Sequence, residues 1–356
     1  MRKLFLLFLV LGVSILGMAQ QTKLLTGEKH NEYGIVYSLP LTAFEIEVVA
    51  VKQTSVAGQY SKYAKIFTSE SNVITKNNVE WQIESVKVRP YGIPDDENRF
   101  LMQVKAGSPT FVCVADDGML LAINKEVAAP VYMAADIIEI EGTPATGREY
   151  LQFVNEDFLA AHSSYKKAQI IAQEIMEIRD AKISLTRGTA ESMPTDGRQL
   201  EIMLTALDNQ EKALMSSFTG STWKERVMRT FTYVPEGEGR SEICRLSPAD
   251  GIIDPGSGKG EPVMISVKVV EEASLPLDSK GEEKKLPKDA VMYRIPGVAE
   301  VAVSVKGNKM FEREFPMSQF GMNFGINPSV FTDKKEPSFA VFDPTTGALK
   351  EMGTIK

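Results

Sequence analysis

Residues 187–220, RGTAESMPTDGRQLEIMLTALDNQEKALMSSFTG, decide how the chain is divided. Gly188, Pro194 and Gly197 punctuate the first part. A helical period then sets Leu200, Leu204, Leu207, Leu214 and Phe218 on one stripe until Gly220. This pattern predicts a helix from about Thr195 to Phe218. Upstream, Asn155 is placed to cap a helix whose first turn carries Glu156 and Asp157. Phe158, Ala161, Tyr165, Ala168, Ala172 and Ile175 follow at 3/4 spacing, so this helix is expected to reach about Ser184, roughly 40 Å. Two helices joined by about ten residues read as an antiparallel helical hairpin over 151–220.

Outside that stretch the period is 2. FEIEVVAV alternates from Phe44, and VEWQI sets Val79, Trp81 and Ile83 on one face, with FLMQV following a polar break at PDDEN. FVCVADDGMLLAIN reads as a hairpin through Asp117-Gly118. After Trp223 come VMISVKVV from Val263, AEVAVSVKGNKMFEREF turning at Gly307-Asn308, and FAVFDPTTGAL turning over Asp343 to Gly347. The expected fold is α+β, with two mainly antiparallel β domains, 20–150 and 221–356, separated by the long helical hairpin.

The N-terminus points to a compartment. Arg2 and Lys3 precede an apolar run, LFLLFLVLGVSILG, and Gly17-Met18-Ala19 places small residues before a cut after Ala19. Residues 1–19 are therefore expected to be a signal peptide, and no later stretch is apolar over the roughly 20 residues a membrane span needs. The expected location is the periplasm or the periplasmic face of an outer membrane. Cleavage takes the 40 basic residues to 38 against 47 acidic ones, and the net charge from −7 to −9. That balance argues against nucleic acid as a partner.

Few residues offer chemistry. His30 and His162 are the only histidines, His30 just beyond the signal segment and His162 on the first helix, so Ser-His-Asp or Cys-His catalysis has little to draw on. Cys113 and Cys244 have no spaced partners for zinc, and their pairing is left open. DPGSGKG, 254–260, lacks the Gly-x-x-x-x-Gly-Lys-Ser/Thr pattern and reads as a loop. Asp95, Asp96 and Glu97 lack the spacing of a calcium loop and read as a solvated turn. No catalytic residue, cofactor site or metal site is assigned.

The acids of the opening stretch are read as structural. If facing residues of the two helices have numbers adding to about 384, Arg179 meets Glu201 or Asp208 as an interhelical ion pair worth about 0–1 kcal/mol. Glu211 falls between Leu207 and Leu214 facing Gln169 and Gln173, and is expected to hydrogen-bond them or to reach a base outside the hairpin. Met193, Met203 and Met215, together with Met176, supply adaptable apolar contacts. With Glu211 they are the expected interaction residues.

Three segments together carry a family likeness: 34–67 (GIVYSLPLTAFEIEVVAVKQTSVAGQYSKYAKIF) with 79–97 (VEWQIESVKVRPYGIPDDE), the helical stretch 177–220, and the ending FDPTTGALKEM, 342–352. The chain resembles the Bacteroidota envelope proteins classed as domain of unknown function 4831. The resemblance implies an exported envelope protein and carries no activity or functional residue with it. The expected function is a non-enzymatic binding or scaffolding component of the bacterial envelope with a protein partner. A hydrolase acting on envelope glycans or peptides is the alternative, because paired carboxylates are the minimum such an enzyme needs.

Overall fold

The computed structural model describes residues 21–24, 34–103, 110–130, 138–141, 144, 146–333 and 335–355. The expected signal segment, 1–19, and His30 lie outside the described residues. In chain order come β1 (Gln21–Leu24), β2 (Ile35–Val56), a short α1 (Ala64–Phe67), β3 (Asn78–Gln103), β4 (Val112–Val114), β5 (Leu120–Ile123) and β6 (Ile138–Glu141). The helices α2 (Glu156–Ala160), α3 (Ser164–Arg187) and α4 (Gly197–Thr219) follow. Next are β7 (Ser221–Tyr233), β8 (Gly239–Ser247), β9 (Gly251–Ile253), β10 (Glu261–Glu271), β11 (Val291–Val305), β12 (Asn308–Ile326), β13 (Ser338–Phe342) and β14 (Leu349–Thr354).

These strands form three sheets, ordered β1-β3-β2-β7-β6, β12-β11-β10-β8-β9 and β14-β13-β5-β4, with antiparallel pairing between all these neighbours. The fold is α+β. The expected boundaries at 150 and 221 are not those of the sheets. β7 pairs with β2 from Phe44↔Tyr233 to Val56↔Ser221, and β13 pairs with β5, so segments from both ends of the chain share two sheets. Antiparallel ladders join whichever edges meet in space, and local periodicity carries no record of the partner.

β2 and β3 are the spine. At 22 and 26 residues they far exceed the usual five or six, and register shifts at Ser38/Pro40 and Val49/Ala50 bend the pair. Tyr37 and Leu39 at one end of β2 enter a core with Leu120, Phe331 and Phe342. Phe44, Ile46, Val48 and Ala50 pack against Val263, Ile265 and Val301 of the second sheet. Just past the other end, Tyr60 joins a third core with Ile171, Ile175, Leu214 and Phe218 of the helices.

The expected polar break at PDDEN is absent: β3 runs straight through it. Asp95 is buried, and its Oδ2 accepts from Arg294 Nη2 at 3.0 Å, both side chains being about 5 % exposed. Asn98 Nδ2 donates to the same carboxylate, and Asn323 Oδ1 accepts from Arg294 Nε, which completes the charge pair between the first and second sheets. The solvated-turn reading of Asp95 is thereby corrected, because a base 199 residues away satisfies it. Gly92 permits a second junction nearby. A Cβ there would stand 1.9 Å from the Pro344 carbonyl oxygen, so only glycine lets the 343–347 turn sit on β3.

Other local expectations hold or shift in small ways. Asp117-Gly118 turns β4 into β5, with Gly118 at φ +88°. β11 turns into β12 through Lys306 and Gly307, both at positive φ, as a two-residue hairpin requires. The two cysteines are free and lie in different sheets, Cys113 half-buried on β4 and Cys244 buried on β8, where burial pushes its thiol up to about 12. The 254–260 loop is a structural turn, its Lys259 and Gly260 carbonyls held by Arg245.

Candidate functional site

Two regions stand out from the sheets: the paired helices and a groove at the edge of β3. The first expected helix is two. Asn155 caps α2 by accepting from the Phe158 amide at 3.0 Å, and Ser163 caps α3 by accepting from the Lys166 amide at 3.1 Å. Ala161 between them is extended, so His162 sits exposed in a break rather than on a helix. A serine that bonds a free amide offers the backbone an alternative to continuing the previous helix. α3 ends at Gly188 with φ +70°, and α4 begins at Asp196, whose side chain accepts from the Gln199 amide at 2.7 Å.

The ion pairs across α3 and α4 differ from those expected. Arg179 Nε donates to Glu211 Oε1 at 2.5 Å, while Lys182 Nζ reaches Asp208 at 2.6 Å and Glu211 Oε2 at 2.5 Å. Arg179 therefore pairs with neither Glu201 nor Asp208, and Glu211 meets two bases on α3 instead of Gln169 and Gln173. Glu201 is exposed. Both Arg179–Glu211 and Lys182–Asp208 have residue numbers adding to 390 against the 384 expected. The start of α4 thus overhangs the end of α3 by about six residues, or roughly 9 Å at 1.5 Å per residue. Burial pushes the Glu211 carboxyl up, but the hydrogen bonds from Lys182 and Arg179 outweigh it and hold the group below the usual range. The bonds Lys182 donates to the Asp208 and Glu211 carboxylates raise its own pKa.

That offset leaves apolar surface in water. α4 has no buried residue before Leu214, and Ile202 is 62 % exposed. Met193 and Met203 are exposed too, as are Met176 and Ile183 of α3. Met215 is different: it packs against the helical core, and its Sδ lies 3.9 Å from Arg179 Nη2. A smaller hollow of about 420 Å³ lies where α2 meets α3, and there burial and the neighbouring Glu177 raise the Glu174 carboxyl.

The groove holds about 610 Å³. One wall is β3 from Val79 to Glu84 with Val51 and Gln53 of β2 and Lys224 of β7, and the other includes Leu246, Pro248, Gly260 and Lys306 around the second sheet. Trp81 lines it, and next to Trp81 the inward parity of β2 ends in Lys52 rather than another apolar residue. Lys52 Nζ lies 5.9 Å from the Trp81 ring centre and 5.8 Å from that of Trp223, and 2.9 Å from Glu225 Oε2. A cation between two indoles and a carboxylate is thereby built across β3, β2 and β7. The indole N–H groups of Trp81 and Trp223 are buried and find no hydrogen-bond acceptor among the described residues.

The carboxylates of the groove are unequal. Glu84 is gripped by Arg226 through Nε at 2.7 Å and Nη2 at 2.9 Å, and this pairing holds it below the usual range. Glu261 lies 3.9 Å from Lys306. Among the described residues, Glu80 accepts from the Asn78 side-chain amide alone, at 2.9 Å. The two tryptophans look isolated in sequence; strand pairing brings them together, and the one local signal was Lys52 on the same alternation as Ile46, Val48 and Ala50. Among the described residues, no group of three His, Cys, Asp or Glu has the arrangement of a metal site. No helix there is long and apolar enough to cross a membrane.

A family model described as Domain of unknown function (DUF4831) matches residues 33–350. No curated protein and no solved structure matches the chain.

Proposed function

The chain belongs to the DUF4831 family, and from its own surfaces we propose that it is an exported, non-enzymatic binding or scaffolding protein of the bacterial cell envelope. The observation that carries this reading is the arm. It is formed by α3 and α4, which ion pairs join, and it keeps Ile202 and Met203 of α4 and Met193 of their connection in water. Apolar side chains held out on α4 and on the connection before it suit a protein partner, and methionine adapts to its shape. The partner is an envelope protein. The basic Arg2-Lys3 start, the apolar run at residues 4–17 and the small residues before Gln20 support an exported location in the periplasm or on the periplasmic face of an outer membrane. A Bacteroidota source is part of the same proposal.

The test is a cross-linked pull-down from native envelopes with the full chain and a Met193→Glu/Ile202→Glu/Met203→Glu variant. The variant is expected to fold normally and lose a partner that the unaltered chain retains. Recovery of every partner by the variant overturns the arm as the binding surface. N-terminal sequencing of the exported protein is expected to begin at Gln20.

A hydrolase of envelope glycans or peptides is the second reading. The observation in its favour is that Trp81 shares the groove with Glu80, Glu84 and Glu261. Against it, a general acid needs a raised pKa, and Glu84 is held low by Arg226. Release of soluble fragments from purified envelope glycan, lost in Glu84→Gln, would establish this reading over the first.

A further inference from the structure

We propose that the groove beside β3 takes an extended polypeptide segment, which pairs as an added strand with the open edge of β3 near residues 78–83 and places a basic side chain at Glu80. This surface is separate from the arm and goes beyond the binding role proposed above.

The edge is open by topology. Among the described residues, β3 has β1 as its outer neighbour only from Phe100 to Gln103, while β2 covers its other side from Asn78 to Met102. In a strand the backbone N–H and C=O groups alternate between the two sides, so an edge presents a row of groups ready to pair. Further along, Pro90 and Pro94 lack an N–H to offer, and the register shift near Ile83 and Ser85 breaks the regular row. The stretch left regular is about six residues, the usual length of a strand.

The groove sets the occupant. Its far wall, with Leu246, Pro248 and Gly260, closes off the space beside the edge. The occupant is a single extended segment rather than the edge of a second folded copy, because Leu246, Pro248 and Gly260 already stand across the groove from β3. Along β3, Val79, Trp81 and Ile83 alternate with Glu80, Gln82 and Glu84, so a paired strand meets an apolar face and a polar face in turn. On the polar face Arg226 already answers Glu84, and Lys306 lies near Glu261. Lys224, also in the lining, lies near enough to lower Glu84, and among the described residues Glu80 is the groove carboxylate with an amide but no ion pair. A lysine or arginine on the incoming strand supplies one.

The test uses the exported full chain with the probe acetyl-Lys-Val-Lys-Val-Lys-Val-amide, read by amide hydrogen exchange and by titration. Expected are slowed exchange within residues 78–84 and at least tenfold weaker binding by both the Glu-for-Lys peptide and a backbone N-methylated peptide. Glu80→Gln is expected to weaken the lysine peptide about threefold or more while Glu201→Gln leaves it unchanged. Equal binding of the N-methylated peptide would reduce the effect to charge alone and overturn the added strand. No slowing in 78–84, or slowing that depends on protein concentration without peptide, would also overturn it, the second by showing that another copy occupies the edge. The arm variant Met193→Glu/Ile202→Glu/Met203→Glu is expected to bind the peptide normally, so failure of the arm reading and failure of the groove are told apart.

Discussion

The middle of β2 and the start of α4 are held in opposite ways. From Phe44 to Ala50 every second residue of β2 is fully buried, and its partners come from strands some two hundred residues later in the chain. α4 from Gly197 to Ala213 has no buried residue; what holds it is the Asp196 cap, the ion pairs to Arg179 and Lys182, and half-buried Leu207 against the helical core. Removing water from apolar surface contributes about 25 cal/mol per Å², whereas exposed ion pairs contribute about 0–1 kcal/mol each. The middle of β2 is therefore held mainly by apolar burial, and the start of α4 mainly by polar contacts and half-buried side chains.

That contrast is open to direct attack. The largest effect is expected at the junction of the first two sheets. Asp95→Ala leaves Arg294 as a buried charge without its partner, and urea titration should show a loss of about 3–5 kcal/mol. A loss under about 1 kcal/mol would mean that the pair does not fasten the sheets. At the base of the arm, Leu214→Ala opens a cavity beside Ile175 and Phe218 and should cost about 2–5 kcal/mol.

Along the arm the expected effects shrink. Glu211→Gln removes two charge-assisted bonds and should cost about 1 kcal/mol at pH 7. Because the folded carboxyl titrates below its unfolded value, this stabilisation is complete above about pH 4.3, the unfolded value. It is lost as pH falls through the folded value, so the gap between the two proteins should close in acid. A gap that widens on acidification would place Glu211 elsewhere. Smallest of all, Ile202→Ser and Glu201→Gln should each stay within about 0.5 kcal/mol, since neither side chain is buried. A larger cost at Ile202 would show that the arm packs where the structure leaves it open.

The same contrast explains what was legible beforehand. α4 was expected from about Thr195 to Phe218 and runs from Gly197 to Thr219, because caps, glycine stops and a 3.6 period are local signals. The Asp117-Gly118 and Gly307 turns were legible for the same reason. Residues 95–97 were not. Their polarity resembles a loop, and only the fold reveals Arg294 facing Asp95. The Arg179 pairing failed more narrowly. The residue types were right, but the connection let α4 slide by about a turn and a half, and that offset moved Glu211 into the place given to Asp208. At the groove, Lys52 was visible on the apolar alternation, while the meeting of Trp81 and Trp223 on either side of it depended on which strands pair with β2.

By itself, then, the sequence determined α4, the tight turns, the family likeness and the charge balance, since these depend on residues within a few positions of one another or on composition. The order of strands in three sheets, the buried Asp95–Arg294 pair, the offset of α4 and the walls of the groove were decided only by the tertiary structure. Each depends on which distant surfaces exclude water together, and burial is roughly proportional to area and blind to distance along the chain.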